Sequence, residues 1–333
     1  MIYERMIKTE NSDSMRDQWS EYRQALTEYI RDGIESYYRR EYLSQEGLLR
    51  DHTFRLQEGI PSGKKPVVAV WGAGGCNDLD LPVLAPYVDF VLIDRDVDAM
   101  RNAAKRFGFT EGQCQCVDVG FWEIYEEEER FFDALLDEAD DLHLSEYLRQ
   151  LMDSVLKQEM IASAYENAFD FSIVCGIASQ LNARFVGLLQ GHGKDLKSLP
   201  RTVAVMQEMN VAAEKRLYRA VEFMTRCAVF TANEMCAAKP EAHTRMQEYA
   251  QIWSEEWERL LVTQAVEQGI PMEMDGITCE VAGSREFIEE ILKAQQAGVL
   301  KIRHRKGMVW PFSAEKHYFM DVLTVYFVNK ENK

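Results

Sequence analysis

The chain has 333 residues, of which 47% are apolar and 28% are charged, as is usual for a globular protein. The formal net charge of −17 argues against a broad nucleic-acid surface, because such surfaces take most of their affinity from Lys and Arg. The sequence contains no apolar run of about 18 residues and no apolar core of a signal peptide. We therefore expect a cytoplasmic protein with no nucleic-acid partner and no membrane partner.

Residues 1–63 predict an N-terminal helical extension. Aromatic and aliphatic side chains recur there at spacings of three and four, which places them on one face of a helix. The members of this face are Trp19, Tyr22, Leu26, Tyr29, Ile30, Ile34, Tyr37 and Tyr38. Such a face needs a partner surface, so we expect it to cap a substrate pocket, to pack in a core, or to join copies of the chain in a homo-oligomer.

Residues 64–333 alternate short apolar strands with helices, which predicts one α/β domain with a mainly parallel sheet. The predicted strands lie at 67–71, 90–93, 113–117, 169–175, 227–232, 277–282 and 318–328, and a helix is predicted over 78–87. An acidic helical insert at about 123–165 interrupts the alternation, and the last extended segment has no helix after it. We predict a Rossmann-like, seven-stranded, mostly parallel sheet with an antiparallel C-terminal strand.

The cysteines do not predict a metal centre. None of the seven forms a C-x-x-C pair, and none joins a histidine at a spacing typical of zinc sites. We therefore expect reduced core thiols and no bound metal.

A glycine turn follows the first predicted strand, where Gly72, Gly74 and Gly75 lie close together. Glycine lets the backbone approach a nucleotide-like ligand closely. Two cofactors are consistent with this turn, a dinucleotide and S-adenosylmethionine. A dinucleotide motif, G-x-G-x-x-G, would place a third glycine where Asn77 stands. S-adenosylmethionine has no phosphate and does not need that third glycine.

The run Val70-Trp71-Gly72-Ala73-Gly74-Gly75-Cys76 resembles the first motif of the class I S-adenosylmethionine-dependent methyltransferases, acidic-x-G-x-G-x-G. Two glycines match, while Val70 and Cys76 depart from the family pattern. The resemblance covers roughly residues 65–330. It implies S-adenosylmethionine as cofactor, methyl transfer as activity, and contacts from Trp71, Gly72, Ala73 and Gly74.

Two aspartates match the second and third motifs of the same family. Asp94 ends the second predicted strand, and the resemblance implies that it binds the ribose hydroxyls. Asp118 ends the third predicted strand, and the resemblance implies that it accepts from the adenine amino group. The neighbouring Arg95 and Val119 complete this part of the predicted cofactor site. Both aspartates are also consistent with helix caps or turns.

The fourth motif lies at Cys175 and Gly176, at the end of the fourth predicted strand, where the resemblance implies the sulfonium. The segment lacks the N/D-P-P-Y signature of enzymes that methylate exocyclic amines or side-chain amides. Together with the acidic charge, this favours a small-molecule acceptor over DNA or a glutamine side chain.

No residue stands out as catalytic, because methyl transfer from a sulfonium needs mainly alignment and the exclusion of water. Three weak candidates remain. His192 lies in a loop, Tyr38 lies on the N-terminal helix, and Glu234 follows the fifth predicted strand, where it would meet a cationic amine. Each also fits a structural role, namely a solvated loop histidine, core packing and a helix-start carboxylate.

Two other functions fit the same sequence. A nicotinamide-dependent oxidoreductase would use a similar sheet but must tolerate Asn77 in the glycine turn. A non-catalytic binding protein with the S-adenosylmethionine fold would explain the departures at Val70 and Cys76.

Overall fold

The computed structural model describes residues 17–46, 65–118, 122, 124–158, 165–261, 273–274, 277–278, 280–281 and 285–328. The strands are β1 (Val67–Trp71), β2 (Asp89–Ile93), β3 (Cys114–Val117), β4 (Phe169–Cys175), β5 (Thr225–Ala238), β6 (Glu273–Met274), β7 (Ile277–Thr278), β8 (Glu280–Val281), β9 (Leu300–Trp310) and β10 (His317–Phe327). The helices are α1 (Ser20–Glu46), α2 (Leu81–Leu84), α3 (Val97–Arg106), α4 (Glu126–Glu138), α5 (Asp141–Lys157), α6 (Ala183–Gly191), α7 (Pro200–Met224), α8 (His243–Leu261) and α9 (Arg285–Gln296).

The main sheet has the strand order β3-β2-β1-β4-β5-β10-β9. Strands β1 to β5 are parallel, whereas β10 is antiparallel to both of its neighbours, β5 and β9. The central strands β1 and β4 are nearly continuous runs of buried apolar residues, as expected for a sheet that helices cover on both faces. The predicted Rossmann-like sheet of seven strands with an antiparallel C-terminal strand is therefore confirmed. The predicted strand at 277–282 corresponds to two short strands, of which β7 pairs with β6 and β8 pairs with β5 beside this path.

Strand β9 was not among the predicted strands. The basic run at 301–306, whose composition fits a solvated turn or a strand end, lies within this strand at the edge of the sheet. The exposed Lys301, Arg303 and Lys306 on this edge strand oppose pairing with a further strand, whereas Arg305 is buried.

Two predicted boundaries were wrong. A helix was predicted over 78–87, but α2 has only four residues, Leu81–Leu84. The fifth strand was predicted to end at Ala232, but β5 continues to Ala238 because β10 pairs along it and β8 pairs with its last part.

The apolar face of α1 packs against the sheet of its own chain. Leu26, Ile30 and Ile34 are buried in one core with strand residues such as Val68 and Phe230. Burial within the chain accounts for the spacing of this face. The division at residue 63 and association through the N-terminal helices stay predictions.

The acidic insert forms a helical layer with a core of its own. Its helices α4 and α5 pack with α6 and the first half of α7, burying Phe132, Leu148, Phe185 and Val205. Trp122 joins this core, and its indole Nε1 donates to Asn182 Oδ1 at 2.8 Å. None of the described helices combines the length and the apolar character that a membrane crossing requires. The cytoplasmic location stays a prediction.

Candidate functional site

The glycine turn lies at the carboxyl end of β1, where the strand order reverses between β1 and β4. Ligands of open α/β sheets bind in the crevice at such a position. Gly72 and Gly74 both have positive φ, +66° and +43°. A Cβ on Gly72 would lie 2.2 Å from Ile177 Cδ1, so this position accepts only glycine without rearrangement.

Asp94 holds this turn from the end of β2. Its Oδ2 accepts from the backbone N–H of Gly74 at 2.9 Å, and its Oδ1 accepts from the N–H of Asp96 at 2.8 Å. A carboxylate has about four acceptor positions, so two remain for hydroxyl groups of a ligand. Asp96 instead caps α3, accepting from Ala99 N at 2.9 Å. The structure thus brings the predicted glycines and Asp94 together.

The predicted adenine side lies at the ends of β2 and β3. Asp118 is exposed there, one residue beyond Val117, whose carbonyl oxygen accepts from the N–H of Asp94 at 3.3 Å. Arg95 turns toward the acidic insert, with its Nη1 3.6 Å from Glu129 Oε1. Val119 lies outside the described residues.

Glu129 ties the insert to this edge of the sheet. The same Oε1 that faces Arg95 also accepts from Arg184 Nη1 at 2.6 Å, and the Glu129 side chain is only 17% exposed. The acidic run at 126–129 is therefore not uniformly solvated. Its last member, Glu129 of α4, joins Arg95 from the segment after β2 and Arg184 of α6 in one ion network.

Only the backbone of Trp71 remains available for the contact with a cofactor that was predicted for this residue. Its side chain is buried on the face of the sheet opposite α1, and its Nε1 donates to Ser172 Oγ at 3.0 Å. Ala73 is also buried, packed in the core that contains α1. At β1 the ligand side therefore consists of backbone and of the two glycines, rather than of side chains.

The carboxyl end of β4 is formed by Cys175 and Gly176. Cys175 is buried, which raises the pKa of its thiol, and the charges of Asp78 and Glu234 raise that pKa further. Gly176 has a φ of +62°, and its N–H donates to Ala232 O at 3.0 Å. A Cβ on Gly176 would lie 3.5 Å from Glu234 Oε1.

Of the three catalytic candidates, the structure brings only Glu234 to this edge. Its side chain is 2% exposed and lies within β5 rather than after it. Tyr38 packs edge-on against Phe171, near Asp170 at the amino end of β4, which is the opposite end of the sheet.

His192 belongs to the insert layer. Its ring nitrogens lie 2.9 Å from Asp133 Oδ1 and 3.0 Å from Asp137 Oδ1, both on α4. These bonds, that to Asp133 above all, raise the pKa of the imidazole. The ring is thus engaged with the insert rather than with the glycine turn.

Sequence reasoning missed Asp78, which was assigned to the start of a helix. It lies just after the glycine turn, where burial raises the pKa of its carboxyl to about 6 and the charge of Glu234 adds to the shift. Arg23 of α1 opposes that shift, and its Nη1 donates to the carbonyl oxygen of Asn77 at 3.2 Å. Its position directly after a glycine turn was the sequence signal that could have identified Asp78 as a residue of the site.

No family model matches this sequence, and no curated protein is significantly similar to it. Solved structures do resemble the fold. A SAM-dependent methyltransferase from Methanosarcina mazei shares 9% identity at a TM-score of 0.39, covering 83% of this chain and 98% of its own. The N-methyltransferase NodS from Bradyrhizobium japonicum, in complex with S-adenosyl-L-homocysteine, shares 11% identity at 0.32, covering 87% of each chain.

A putative RNA methyltransferase from Pyrococcus horikoshii shares 10% identity at a TM-score of 0.33, covering 80% of this chain and 75% of its own. At these values the likeness concerns the fold alone. The resemblance predicted from the motifs is confirmed at that level, because strand order and the antiparallel β10 agree with it.

Proposed function

We propose that this chain binds S-adenosylmethionine at the glycine turn and transfers its methyl group to a small-molecule acceptor. The observation that carries the proposal is the structure after the turn. No long helix starts there, since α2 begins at Leu81 and has only four residues. The turn therefore lacks the helix N-terminus with which nucleotide folds bind a pyrophosphate.

The charge around the turn supports the same cofactor. Asp78 directly follows the turn. A carboxylate there repels the pyrophosphate of a nicotinamide dinucleotide, whereas S-adenosylmethionine carries a positive sulfonium and no phosphate. Asp94 suits the ribose of either cofactor. The oxidoreductase alternative is disfavoured on this ground.

The residues present fit the parts of this cofactor. The open backbone at Gly72 and Gly74 suits close approach, and Asp94 keeps acceptor positions for ribose hydroxyls. Asp118, exposed at the end of β3, would accept from the adenine amino group, and Gly176 would border the sulfonium. When bound, the cofactor supplies an activated methyl group. The chain contributes alignment and the exclusion of water.

The first turns of α1 support a small acceptor rather than a polymer. Trp19, the residue before α1, donates through Nε1 to the carbonyl oxygen of Phe312 at 3.0 Å, which ties the start of α1 to the segment after β9. Thr27 Oγ1 accepts from the N–H of Asp80 at 2.9 Å, which ties α1 to the segment after the glycine turn. Together these contacts cover the side of the site where an acceptor would lie.

Calorimetric titration of the full-length protein tests the proposal. We expect S-adenosylhomocysteine to bind with a Kd in the micromolar range or tighter, and NAD not to bind. Binding of NAD without binding of S-adenosylhomocysteine would overturn the proposal. Binding of S-adenosylhomocysteine by a protein that transfers no methyl group to any acceptor in a cell extract would favour the non-catalytic alternative.

A further inference from the structure

The gap beside Gly176 has walls of two kinds. A Cβ at this position would lie 3.5 Å from Glu234 Oε1 and 3.4 Å from the six-membered ring of Trp310. These are ordinary contact distances, so the missing Cβ of Gly176 leaves a small space between a carboxylate and an aromatic ring. We call Tyr22, Asp78, Gly176, Glu234 and Trp310 the acceptor cluster.

The electrostatic character of the acceptor cluster is negative. Burial raises the pKa of Tyr22 well above its usual value, and Asp78 and Glu234 both add to that shift. The same two carboxylates act on Cys175. Groups on α1, β4 and the glycine turn therefore all sense their charge, which Arg23 opposes only in part. An anionic acceptor, such as a carboxylate or a phosphate, would be repelled here.

The aromatic wall comes from α1 and the end of β9. Tyr22 stacks on Trp310 with ring centroids 5.5 Å apart, and Trp19 meets the same ring edge-on at 5.0 Å. Aromatic faces combined with carboxylates are the usual surroundings of bound organic cations.

A second observation does not depend on charge. The side chain of Trp310 is 4% exposed, and its indole N–H has no acceptor among the described residues. A buried donor without an acceptor costs free energy, so its retention is explained if the ligand carries an oxygen acceptor beside its nitrogen, because an ammonium group can only donate.

We propose that the acceptor cluster binds a small alkylammonium compound and that its nitrogen receives the methyl group. This inference rests on the proposed function. An alkylammonium ion is not a nucleophile, because its lone pair carries the proton. The carboxylate pair of Asp78 and Glu234 first takes that proton. The free amine nitrogen then forms a bond to the methyl carbon while the carbon–sulfur bond breaks and its electron pair stays on sulfur.

Ligand titrations of the full-length protein saturated with S-adenosylhomocysteine test this inference. The probes are 2-phenylethylamine, 2-phenylethanol and phenylacetate, which share a skeleton and differ in the polar group. We expect the amine to bind at least about tenfold more tightly than the alcohol, and the carboxylate to bind most weakly. Equal binding of the three probes would overturn the inference.

Substitutions in the acceptor cluster test whether its carboxylates cause the preference for the amine probe. Glu234→Gln keeps the shape and removes the charge, so it should reduce the preference for the amine to about threefold or less. If that buried variant does not fold, the partly exposed Asp78→Asn replaces it, with the same expectation. Glu241→Gln is the matched control, because Glu241 is exposed. An unchanged amine preference in both cluster variants would contradict the inference.

The acceptor cluster could instead bind the ammonium group of the cofactor itself. A further titration distinguishes this case. 5′-Methylthioadenosine lacks the amino-acid part of S-adenosylhomocysteine. If Glu234→Gln weakens S-adenosylhomocysteine but not 5′-methylthioadenosine, the carboxylate serves the cofactor and the inference is overturned. Absence of S-adenosylhomocysteine binding in the wild type would overturn the proposed function first, whereas binding without amine preference overturns only the inference.

Discussion

The Oδ2 atom of Asp94 lies 2.9 Å from the backbone nitrogen of Gly74, so the residue that ends β2 fixes the turn that follows β1. The two residues lie 20 positions apart in the sequence. One carboxylate thus orders the loop and presents its remaining acceptor positions to a ligand in the same crevice.

Asp94→Asn should weaken the binding of S-adenosylhomocysteine by about tenfold to a hundredfold. The amide nitrogen of Asn would face a backbone N–H, either that of Gly74 or that of Asp96, and one charge-assisted bond would be lost. Titration calorimetry measures the change. Asp98→Asn is the control, because the Asp98 side chain is 91% exposed. Equal affinity in the Asp94 variant and the control would contradict a ribose role.

Gly72→Ala should destabilise the protein by more than about 1 kcal/mol. The residue has a φ of +66°, and its new Cβ would lie 2.2 Å from Ile177 Cδ1. Gly187→Ala is the matched control, since Gly187 lies in α6 with nothing within 4 Å of the added Cβ, and it should stabilise by about 0.5 kcal/mol. Urea unfolding followed by tryptophan fluorescence distinguishes the two outcomes.

Asp321→Asn should cost about 3–5 kcal/mol of unfolding free energy. Arg305 Nη2 lies 2.5 Å from Asp321 Oδ2, and both side chains are fully buried. The variant leaves the guanidinium without its counter-charge. Arg305→Met in the same chain should recover part of the loss, because Asn still offers an acceptor to Trp253 Nε1.

An exposed ion pair provides the comparison for the buried pair of Arg305 and Asp321. Glu208→Gln breaks an exposed pair with Arg149 and should cost less than about 1 kcal/mol. Chemical unfolding of the three variants gives the values. If the double variant is less stable than Asp321→Asn alone, the buried ion pair does not act as described.

Stability should fall as the pH rises from about 5 to about 8, with Glu214 as one cause. Burial raises the pKa of its carboxyl to about 8, although the N–H of Phe287 donates to its Oε2 at 2.9 Å and opposes the shift. The folded state therefore binds a proton that the unfolded state releases near pH 4.5. This contribution is complete below pH 4.5 and is lost as the pH approaches 8.

Glu214→Gln removes that proton linkage. The variant should match the wild type near pH 5 and exceed its stability at pH 8.5. Unfolding free energies at several pH values test the difference, with the exposed Glu248→Gln as control. A wild-type pH slope in the Glu214 variant would show that other groups cause the dependence.

Local patterns predicted the central elements. The apolar runs at β1, β2 and β4 are strands because buried parallel strands are apolar on both faces. The glycines before Asn77 and the aspartate after β2 also lie where their spacing indicated.

Contacts between distant segments explain the failures. The helix predicted over 78–87 is shortened where Thr27 of α1 accepts from the N–H of Asp80. The environment of Asp78 depends on Glu234, which is remote in sequence, so no local pattern reports it. Strand β9 carries its charges because it lies at an edge, and charge at an edge resembles charge in a loop.

The position of β10 between β5 and β9 has a consequence for how the chain folds. The last described strand is an interior one, and Tyr326 Oη donates to the carbonyl oxygen of Gly33, 293 positions earlier. During synthesis, α1 and β5 lack their contacts with β10 until that strand has emerged from the ribosome. Such long-range closure predicts slow folding and a period of exposure to chaperones, and removal of β10 would leave two unpaired edges inside the sheet.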